Sequence, residues 1–346
     1  MARKVTMQQI ADYLGMSKYV VSKALSGKQG VSAATRNKVF DAASKLGYFT
    51  QKNSKVDTIS LKPHSSVDQN KRSILVLMPN VRFQTRESSY WGRLLNGITD
   101  AIESMKIGMV IVTESNISDI TTVINPSSIM GVISIGLVTT SLLLEVNKMN
   151  VPIVMVDHED PLLPCDTIFN NNFDCSARLA NHLIGLGHTN IQFVGDITYS
   201  RSFYDRWLGL RSTLELNKQL AVFDEELCKI SSLDQFTHWL KGKNLSAMPT
   251  ALMCANDGTA ARVISTLLEE GYRVPQDISV TGFDNKEIAY QMTPTITTVN
   301  VAKEELGKRA VKMLLTRINE KEAPYEKLLM TGSIMLREST AICRKL

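Results

Sequence analysis

The sequence predicts a small all-α domain at the N-terminus, followed by a larger α/β domain built from parallel sheets. Three observations support this division. Helix-capping patterns crowd into the first 50 residues, short apolar runs alternate with amphipathic stretches beyond residue 72, and the chain of 346 residues, 44% of them hydrophobic, is long enough for two or three domains. Charged residues make up 21% of the chain, which argues against wholesale disorder.

Three classes of protein are disfavoured by composition. The longest nearly unbroken apolar run, over 129–138, is too short for a bilayer, which takes about 20 residues. No apolar signal-peptide core follows the N-terminus. The five cysteines are odd in number and lack the short C-x-x-C spacing of a zinc site. We therefore expect a cytoplasmic chain with no membrane partner, no disulfide framework, no metal site and no cofactor.

Positive charge is concentrated at one end of the chain. Nine lysines and arginines against two acids give residues 1–53 a net charge of +7, although the whole chain carries only +5. Such asymmetry indicates a polyanion as the partner of the N-terminal part alone. The alternative, a basic face that is merely solvated, would apply if this segment had no further pattern.

Capping residues divide that segment into three short helices. Thr6 and Gln9 form a capping box ahead of an amphipathic stretch that Gly15 would end. Ser17 and Ser32 stand where they can cap a second and a third helix. Two short helices joined by a turn and followed by a supporting helix describe a helix-turn-helix, whose second helix enters the major groove of DNA.

Beyond residue 72 the pattern predicts a layered α/β domain. The short apolar runs cover 74–78, 109–112, 131–135, 152–156, 191–194, 251–254 and 278–281. Amphipathic stretches, including 176–186 and 259–270, separate them. Short buried strands with helical crossovers indicate parallel sheets covered on both faces, and the length suits two sheets with a cleft between them.

Several motifs resemble those of the lactose-repressor (LacI) family of transcriptional regulators. The similarity covers nearly every position from Val5 to Tyr48. In the larger part it rests on Asn170-Asn171-Asn172, Ala255-Asn256-Asp257 and Gly282-Phe283-Asp284-Asn285, among other phrases. The resemblance implies a helix-turn-helix domain plus an α/β effector domain of the periplasmic-binding-protein type, with two parallel-sheet lobes between which the chain crosses three times.

The resemblance also implies domain boundaries. These are a DNA-binding domain over 1–50, a hinge or linker over 51–72, and an effector-binding and dimerisation domain over 73–346. Within the last domain, we expect a first lobe of about 73–160 and 292–322 and a second lobe of about 161–291 and 323–346.

The hinge departs from the family, because the position of its apolar wedge holds Asp57. A carboxylate cannot replace an apolar wedge in the minor groove, so we expect no hinge helix. The alternative is a wedge from Ile59 or Leu61 in a shifted register.

The same alignment assigns residues to operator DNA. The base-reading positions hold Lys18, Tyr19 and Lys23, and the positions near phosphates or the first helix start hold Thr6, Ser17, Ser22 and Arg36. The family usually has arginine where this chain has Lys23. Because arginine can bind guanine through two hydrogen bonds and lysine acts as a point charge, the half-site sequence stays open.

A second set of residues is assigned to a small ligand in the cleft. It comprises Tyr90, Trp91, Asp157, Ser202, Arg206 and Asp257. Two carboxylates, a guanidinium and flat aromatic faces suit a polyhydroxylated molecule with an apolar face, most simply a sugar. Each assignment has an alternative: Asp257 as a helix cap, Trp91 as packing between the lobes, and Arg206 as a surface ion pair.

The function implied is a sequence-specific DNA-binding regulator, most simply a repressor, whose affinity for double-stranded operator DNA depends on a small ligand. Two-fold operators imply a homodimer, with higher oligomers left open. An inducer and a co-repressor both fit, because the sign depends on which lobe arrangement the ligand prefers. The alternative class is an enzyme or ligand-binding protein with a vestigial basic head. We expect no enzyme, because Walker, zinc-protease and nucleophile-elbow motifs are missing from the sequence.

Overall fold

The computed structural model describes residues 6–25, 35, 38–39, 42, 73–78, 90–113, 124–218 and 223–344. It divides into two units, Met1–Pro63 and His64–Leu346, each of which is described by itself. Within the described ranges, no helix is both long enough and apolar enough to cross a membrane.

The first unit begins with the two predicted helices, α1 (Met7–Leu14) and α2 (Lys18–Leu25). The capping box forms as expected, since Thr6 accepts from the backbone of Gln9 and the Gln9 side chain accepts from the backbone of Thr6. Gly15 ends α1 with a left-handed φ of 63°. One small apolar cluster joins both helices to two residues further along the chain, and it comprises Ile10, Ala11, Val21, Val39 and Ala42. The bounds of the third predicted helix, Arg36 and the hinge with Asp57, Ile59 and Leu61 lie outside the described residues.

The second unit alternates strands and helices, as predicted. Before the chain first passes from one sheet to the other, the elements are β1 (Ser73–Leu77), α3 (Trp91–Glu103), β2 (Gly108–Val112), β3 (Ile129–Ile135), α4 (Thr140–Asn147), β4 (Ile153–Val156) and β5 (Asp166–Asn170). There follow α5 (Asn172–Gly185), β6 (Ile191–Val194), α6 (Arg201–Leu216), α7 (Leu233–Leu240), β7 (Ala251–Cys254), α8 (Asp257–Glu269), β8 (Ser279–Thr281), α9 (Glu287–Gln291) and β9 (Thr298–Asn300). The described chain ends with α10 (Lys303–Asn319), β10 (Lys327–Met330) and β11 (Ser333–Met335). Single 3-10 turns lie at Pro126–Ser128, Leu227–Lys229 and Leu245–Ala247.

Two parallel sheets form the two lobes. The first lobe has a six-stranded sheet in the order β10-β5-β4-β3-β1-β2, and every neighbouring pair in it is parallel. The second lobe has a three-stranded parallel sheet in the order β6-β7-β8 and an antiparallel pair of β9 with β11. This arrangement confirms the predicted fold class, in which ligands bind at the carboxyl ends of the strands.

The lobe boundaries expected from the sequence are wrong in three places. β5 and β10, which were expected in the second lobe, pair into the sheet of the first lobe. β9, expected in the first lobe, pairs with β11 and bridges Asp284 of the second lobe through Asn300, and Thr297, just before β9, bridges Thr281. For β5 the physical reason is its polar start, where Asp166 is buried because Arg317 of α10 donates two hydrogen bonds to it, at 2.7 and 2.9 Å.

Close packing of α3 against α10 fixes one face of the first lobe. A Cβ atom on Gly97 would lie 1.9 Å from the carbonyl oxygen of Glu304, and one on Gly307 would lie 2.2 Å from that of Leu94. Only glycine allows this approach. Because the first residue of α3 is Trp91, the packing of the two helices also sets the position of an aromatic side chain at the cleft.

Candidate functional site

The candidate site lies where polar side chains of the two lobes meet. Ser202 of α6 donates a hydrogen bond of 2.5 Å from its Oγ to Oδ1 of Asp157, which directly follows β4. Next to it, Arg201 forms an ion pair of 2.6 Å with Glu159. Since α6 belongs to the second lobe and the segment after β4 to the first, these contacts join the two lobes.

Asp157 has an unusual backbone conformation. Its φ is 58°, in the left-handed region that residues other than glycine rarely adopt, although Asp and Asn tolerate it better than most. Burial raises the pKa of its carboxyl group to about 6, against the lowering effect of the hydrogen bond from Ser202. Strain and a raised pKa at one half-buried acid are typical of a binding site.

Arg206 forms the centre of the second lobe's wall. Its Nε donates to Oδ1 of Asn172 at 2.9 Å and its Nη1 to the carbonyl oxygen of Ala255 at 2.6 Å. Its Nη2 lies 3.2 Å from Oδ1 of Asp284, and the guanidinium carbon lies 3.8 Å from the centroid of the Phe283 ring. Only 4% of Arg206 is exposed, which excludes the surface ion pair considered as the alternative.

Asp284 is a site residue that the sequence interpretation missed. It is 5% exposed, pairs with Arg206, and has a φ of 99°. Both acids that approach the cleft from opposite lobes, Asp157 and Asp284, thus have positive φ. The pattern that led to Asp257 applies equally to Asp284, because each follows the end of a strand by three residues, Asp257 after β7 and Asp284 after β8.

The two aromatic residues predicted for the site lie between the lobes. The rings of Tyr90 and Trp91 meet edge to face with centroids 4.7 Å apart, and Tyr90 Oη accepts a hydrogen bond of 2.8 Å from Asn170. Burial raises the pKa of Tyr90 well above its ordinary value, and the nearby charges of Asp157 and Asp284 add to the effect. Trp91 packs against the cores of both lobes, which agrees with the alternative of inter-lobe packing.

Asp257 does not occupy the position expected of it. Its side chain is fully buried, and both carboxylate oxygens accept hydrogen bonds within the second lobe, from Thr298 Oγ1 at 2.6 Å and from the backbone of Lys286 at 2.7 Å. The cap of α8 is Asn256, which accepts from the backbone of Thr259. Asp257 therefore joins α8 to the segment after β8, and neither predicted role describes it.

Asn172, at the start of α5, is a second residue that the sequence interpretation missed. It is 1% exposed, and its Oδ1 accepts the hydrogen bond from Arg206. Its Nδ2 is buried without a hydrogen-bond partner in the described part of the chain. A buried amide donor without a partner costs free energy, and a ligand that accepts from it would recover that cost.

The DNA-binding residues predicted on α2 fall into two groups. Lys18 and Tyr19 are exposed, Tyr19 to 72%, whereas Ser22 and Lys23 are half-buried. Ser17 accepts from the backbone of Val20 at 3.3 Å and so caps α2. The exposed Thr6 is engaged in the capping box of α1. A large aromatic side chain left in solvent at the start of the second helix of a helix-turn-helix is suitably placed for base contact.

Among the residues that the structure describes, no group of three His, Cys, Asp or Glu side chains is placed to hold a metal ion.

Comparison with known families gives two matches, one within each unit. Residues 6–51 match the family described as "Bacterial regulatory proteins, lacI family". Residues 180–340 match the family described as "Periplasmic binding protein-like domain". A probable HTH-type transcriptional repressor, ExuR of Bacillus subtilis (strain 168), is 25% identical over 339 residues, covering 97% of this chain and 98% of that protein.

Solved structures with a similar fold cover nearly all of the chain. The complex of the transcriptional regulator CelR with cellobiose has a TM-score of 0.65 and 21% identity, covering 97% of this chain and 100% of that one. The lac repressor dimer bound to operator and the anti-inducer ONPF has a TM-score of 0.62 and 22% identity, covering 98% of this chain and 100% of that one. At such identities the likeness concerns the fold.

Proposed function

Because the chain belongs to the lacI family of bacterial regulatory proteins, we propose that it is a homodimeric repressor whose affinity for operator DNA changes when a sugar or sugar derivative binds between its lobes. The observation that carries the proposal is the hydrogen bond from Ser202 to Asp157 across the cleft. A ligand that takes the place of Ser202 as the partner of Asp157 alters the contact between the lobes. It thereby favours one lobe arrangement over the other.

For the ligand, we assign seven contact residues from the two lobes. They are Tyr90, Trp91 and Asp157 from the first lobe, and Asn172, Ser202, Arg206 and Asp284 from the second. Carboxylates and amides pair with hydroxyl groups, and the aromatic rings can cover an apolar sugar face. The cellobiose in the CelR complex, a protein of the same fold, supports a carbohydrate.

For DNA, we assign the base contacts to Lys18 and Tyr19 at the exposed start of α2, with Lys23, Ser17, Ser22, Thr6 and Arg36 as further contacts. The concentration of positive charge in residues 1–53 supports this role, since phosphate neutralisation supplies most of the non-specific affinity. The operator-bound lac repressor dimer, again a protein of the same fold, supports binding as a dimer. A cytoplasmic location stays a prediction.

The rival function is an enzyme or ligand-binding protein with a vestigial head. The name of the ExuR relative, a transcriptional repressor, argues against it. The two functions differ in a simple respect, because only the repressor needs a specific duplex and a ligand that changes its affinity for that duplex.

The test has two steps, both with the full chain. An operator is first selected from random duplexes, and its binding is measured against salt concentration, where each phosphate neutralised contributes a log–log slope of about −0.9. Sugars are then screened by thermal shift, because a ligand at about 100 times its Kd stabilises by about 2.7 kcal/mol. A salt-independent affinity, or a stabilising sugar that leaves operator binding unchanged, contradicts the proposal.

A further inference from the structure

The buried charges of the cleft are not equally neutralised. In and next to the cleft, the described part of the chain has one half-buried carboxylate, Asp157, two buried ones, Asp257 and Asp284, and two cations that are at most 4% exposed, Arg206 and Lys303. A third cation, Lys286, is more exposed and lies 3.8 Å from Asp284. Three carboxylates thus face three cations, and the partners of each cation decide which carboxylate has no ion pair.

Both buried cations have partners other than Asp157. Arg206 pairs with Asp284 and donates its remaining observed hydrogen bonds to Asn172 and Ala255. Lys303 Nζ donates to the carbonyl oxygen of Asp284 and, at 3.5 Å, to that of Asn285. Neither cation therefore forms an ion pair with Asp157, and the positive charge of Arg206 only partly opposes the rise that burial causes in the pKa of its carboxyl group.

Asp157 itself has a neutral partner. Its observed hydrogen bond comes from the hydroxyl of Ser202, and it forms no ion pair with a lysine or arginine of the described ranges. Its pKa of about 6 leaves the carboxylate mostly ionised at neutral pH. A half-buried carboxylate without a counter-ion is costly, and here the backbone also adopts a strained conformation to place it.

We propose that the ligand of this cleft supplies an ion-pair partner to Asp157, and that it is a polyhydroxylated amine, such as an amino sugar, whose ammonium group binds that carboxylate. This inference rests on the proposed function only in taking the cleft as the ligand site. An ammonium group offers three donors from a compact charge, enough to satisfy the carboxylate and to approach the ring face of Tyr90 as well. A sugar phosphate or a sugar acid would instead bring an anion next to an unneutralised carboxylate, which disfavours it.

The probes are three small polyols that differ chiefly in charge. Tris(hydroxymethyl)aminomethane is a cation at neutral pH, tris(hydroxymethyl)ethane is uncharged, and bis(hydroxymethyl)propionate is an anion. Binding of each to the full chain is measured by saturation-transfer NMR titration in an amine-free buffer. We expect the amine to bind at least about tenfold more tightly than the neutral probe, equivalent to about 1.4 kcal/mol, and the anion to bind most weakly.

Three variants tie the selectivity to one residue. Asp157→Asn should abolish the preference for the amine, and Asp157→Glu should keep part of it, because the charge remains. Asp100→Asn, an exposed acid on α3 of the same lobe, is the matched control and should behave as the wild type. Circular dichroism and thermal unfolding establish that each variant is folded before its titration is compared.

Equal binding of the amine and neutral probes, tighter binding of the anion, no binding of any probe, or an unchanged preference in Asp157→Asn would each overturn the inference. Operator binding by the same preparations separates this result from the proposed function. A chain that binds its operator and responds to an anionic sugar overturns the amine and keeps the repressor. Selectivity for the amine without any DNA binding keeps the amine and overturns the repressor.

Discussion

Replacing Arg206 by methionine should lower the free energy of unfolding by about 3–5 kcal/mol, which is the range observed when one partner of a buried ion pair is removed. The magnitude follows from what the change leaves behind. Asp284 would keep its charge with its side chain 7% exposed, and Lys286, 3.8 Å away, would be its nearest remaining ion-pair partner. Asn172 and the carbonyl of Ala255 would each lose a donor as well.

A double-mutant cycle distinguishes this charge effect from lost packing. Arg206→Met combined with Asp284→Asn removes the stranded carboxylate, so the double variant should be more stable than Arg206→Met alone. The assay is urea unfolding of the full chain, followed by tryptophan fluorescence and circular dichroism so that a separate transition of the first unit is recognised. If Arg206→Met costs less than about 1 kcal/mol, or if the two costs simply add, the pair does not stabilise this wall of the cleft as argued.

Three further predictions concern other parts of the chain. Gly97→Ala should destabilise the first lobe by about 1–3 kcal/mol or more in urea unfolding, because its Cβ would meet the carbonyl oxygen of Glu304 at 1.9 Å, and an unchanged midpoint would contradict this packing. Tyr19→Ala should reduce discrimination between the selected operator and its point variants by about 1–3 kcal/mol in gel-shift titrations. Lys38→Ala, at an exposed lysine of the first unit outside α2, should weaken all duplexes alike or have no effect. Burial raises the pKa of Asp257 from 3.8 to about 7, so its ionisation destabilises the folded state, and stability should fall as pH rises between these values. The slope should be on the order of 1 kcal/mol per pH unit. Asp257→Asn should lack that part of the slope, and an identical pH profile would show that the group does not titrate in this range.

The helix caps of the first unit were predictable because they depend on neighbours in sequence. Thr6 and Gln9 are three residues apart, and Gly15 needs only its own freedom to adopt positive φ. The apolar strands were predictable for a similar reason, since each is a run of residues that tolerate burial on both faces.

Elements that depend on distant partners were not predictable in this way. β5 begins with Asp166, whose burial depends on Arg317, 151 residues further along the chain. The two acids Asp257 and Asp284 each come soon after a strand, so the sequence pattern gives no basis for choosing between them. The choice is made by the turn after β8, where Asp284 has positive φ and pairs with Arg206, while Asp257 is enclosed by Thr298 and Lys286.

The order in which the first lobe is completed has a consequence for its synthesis. Its core needs α10, whose buried residues pack on those of α3 and the sheet, and the edge strand β10 follows later still. Between β5 and α10 the ribosome must make the whole of the second lobe up to β9, which at 5–20 residues per second takes on the order of ten seconds. For that time the nascent chain has an apolar sheet face without its covering helix. Chains that end before α10 should therefore aggregate or be bound by chaperones. The earlier synthesis of α1 and α2 does not prevent this, because those helices are not part of the core of the first lobe.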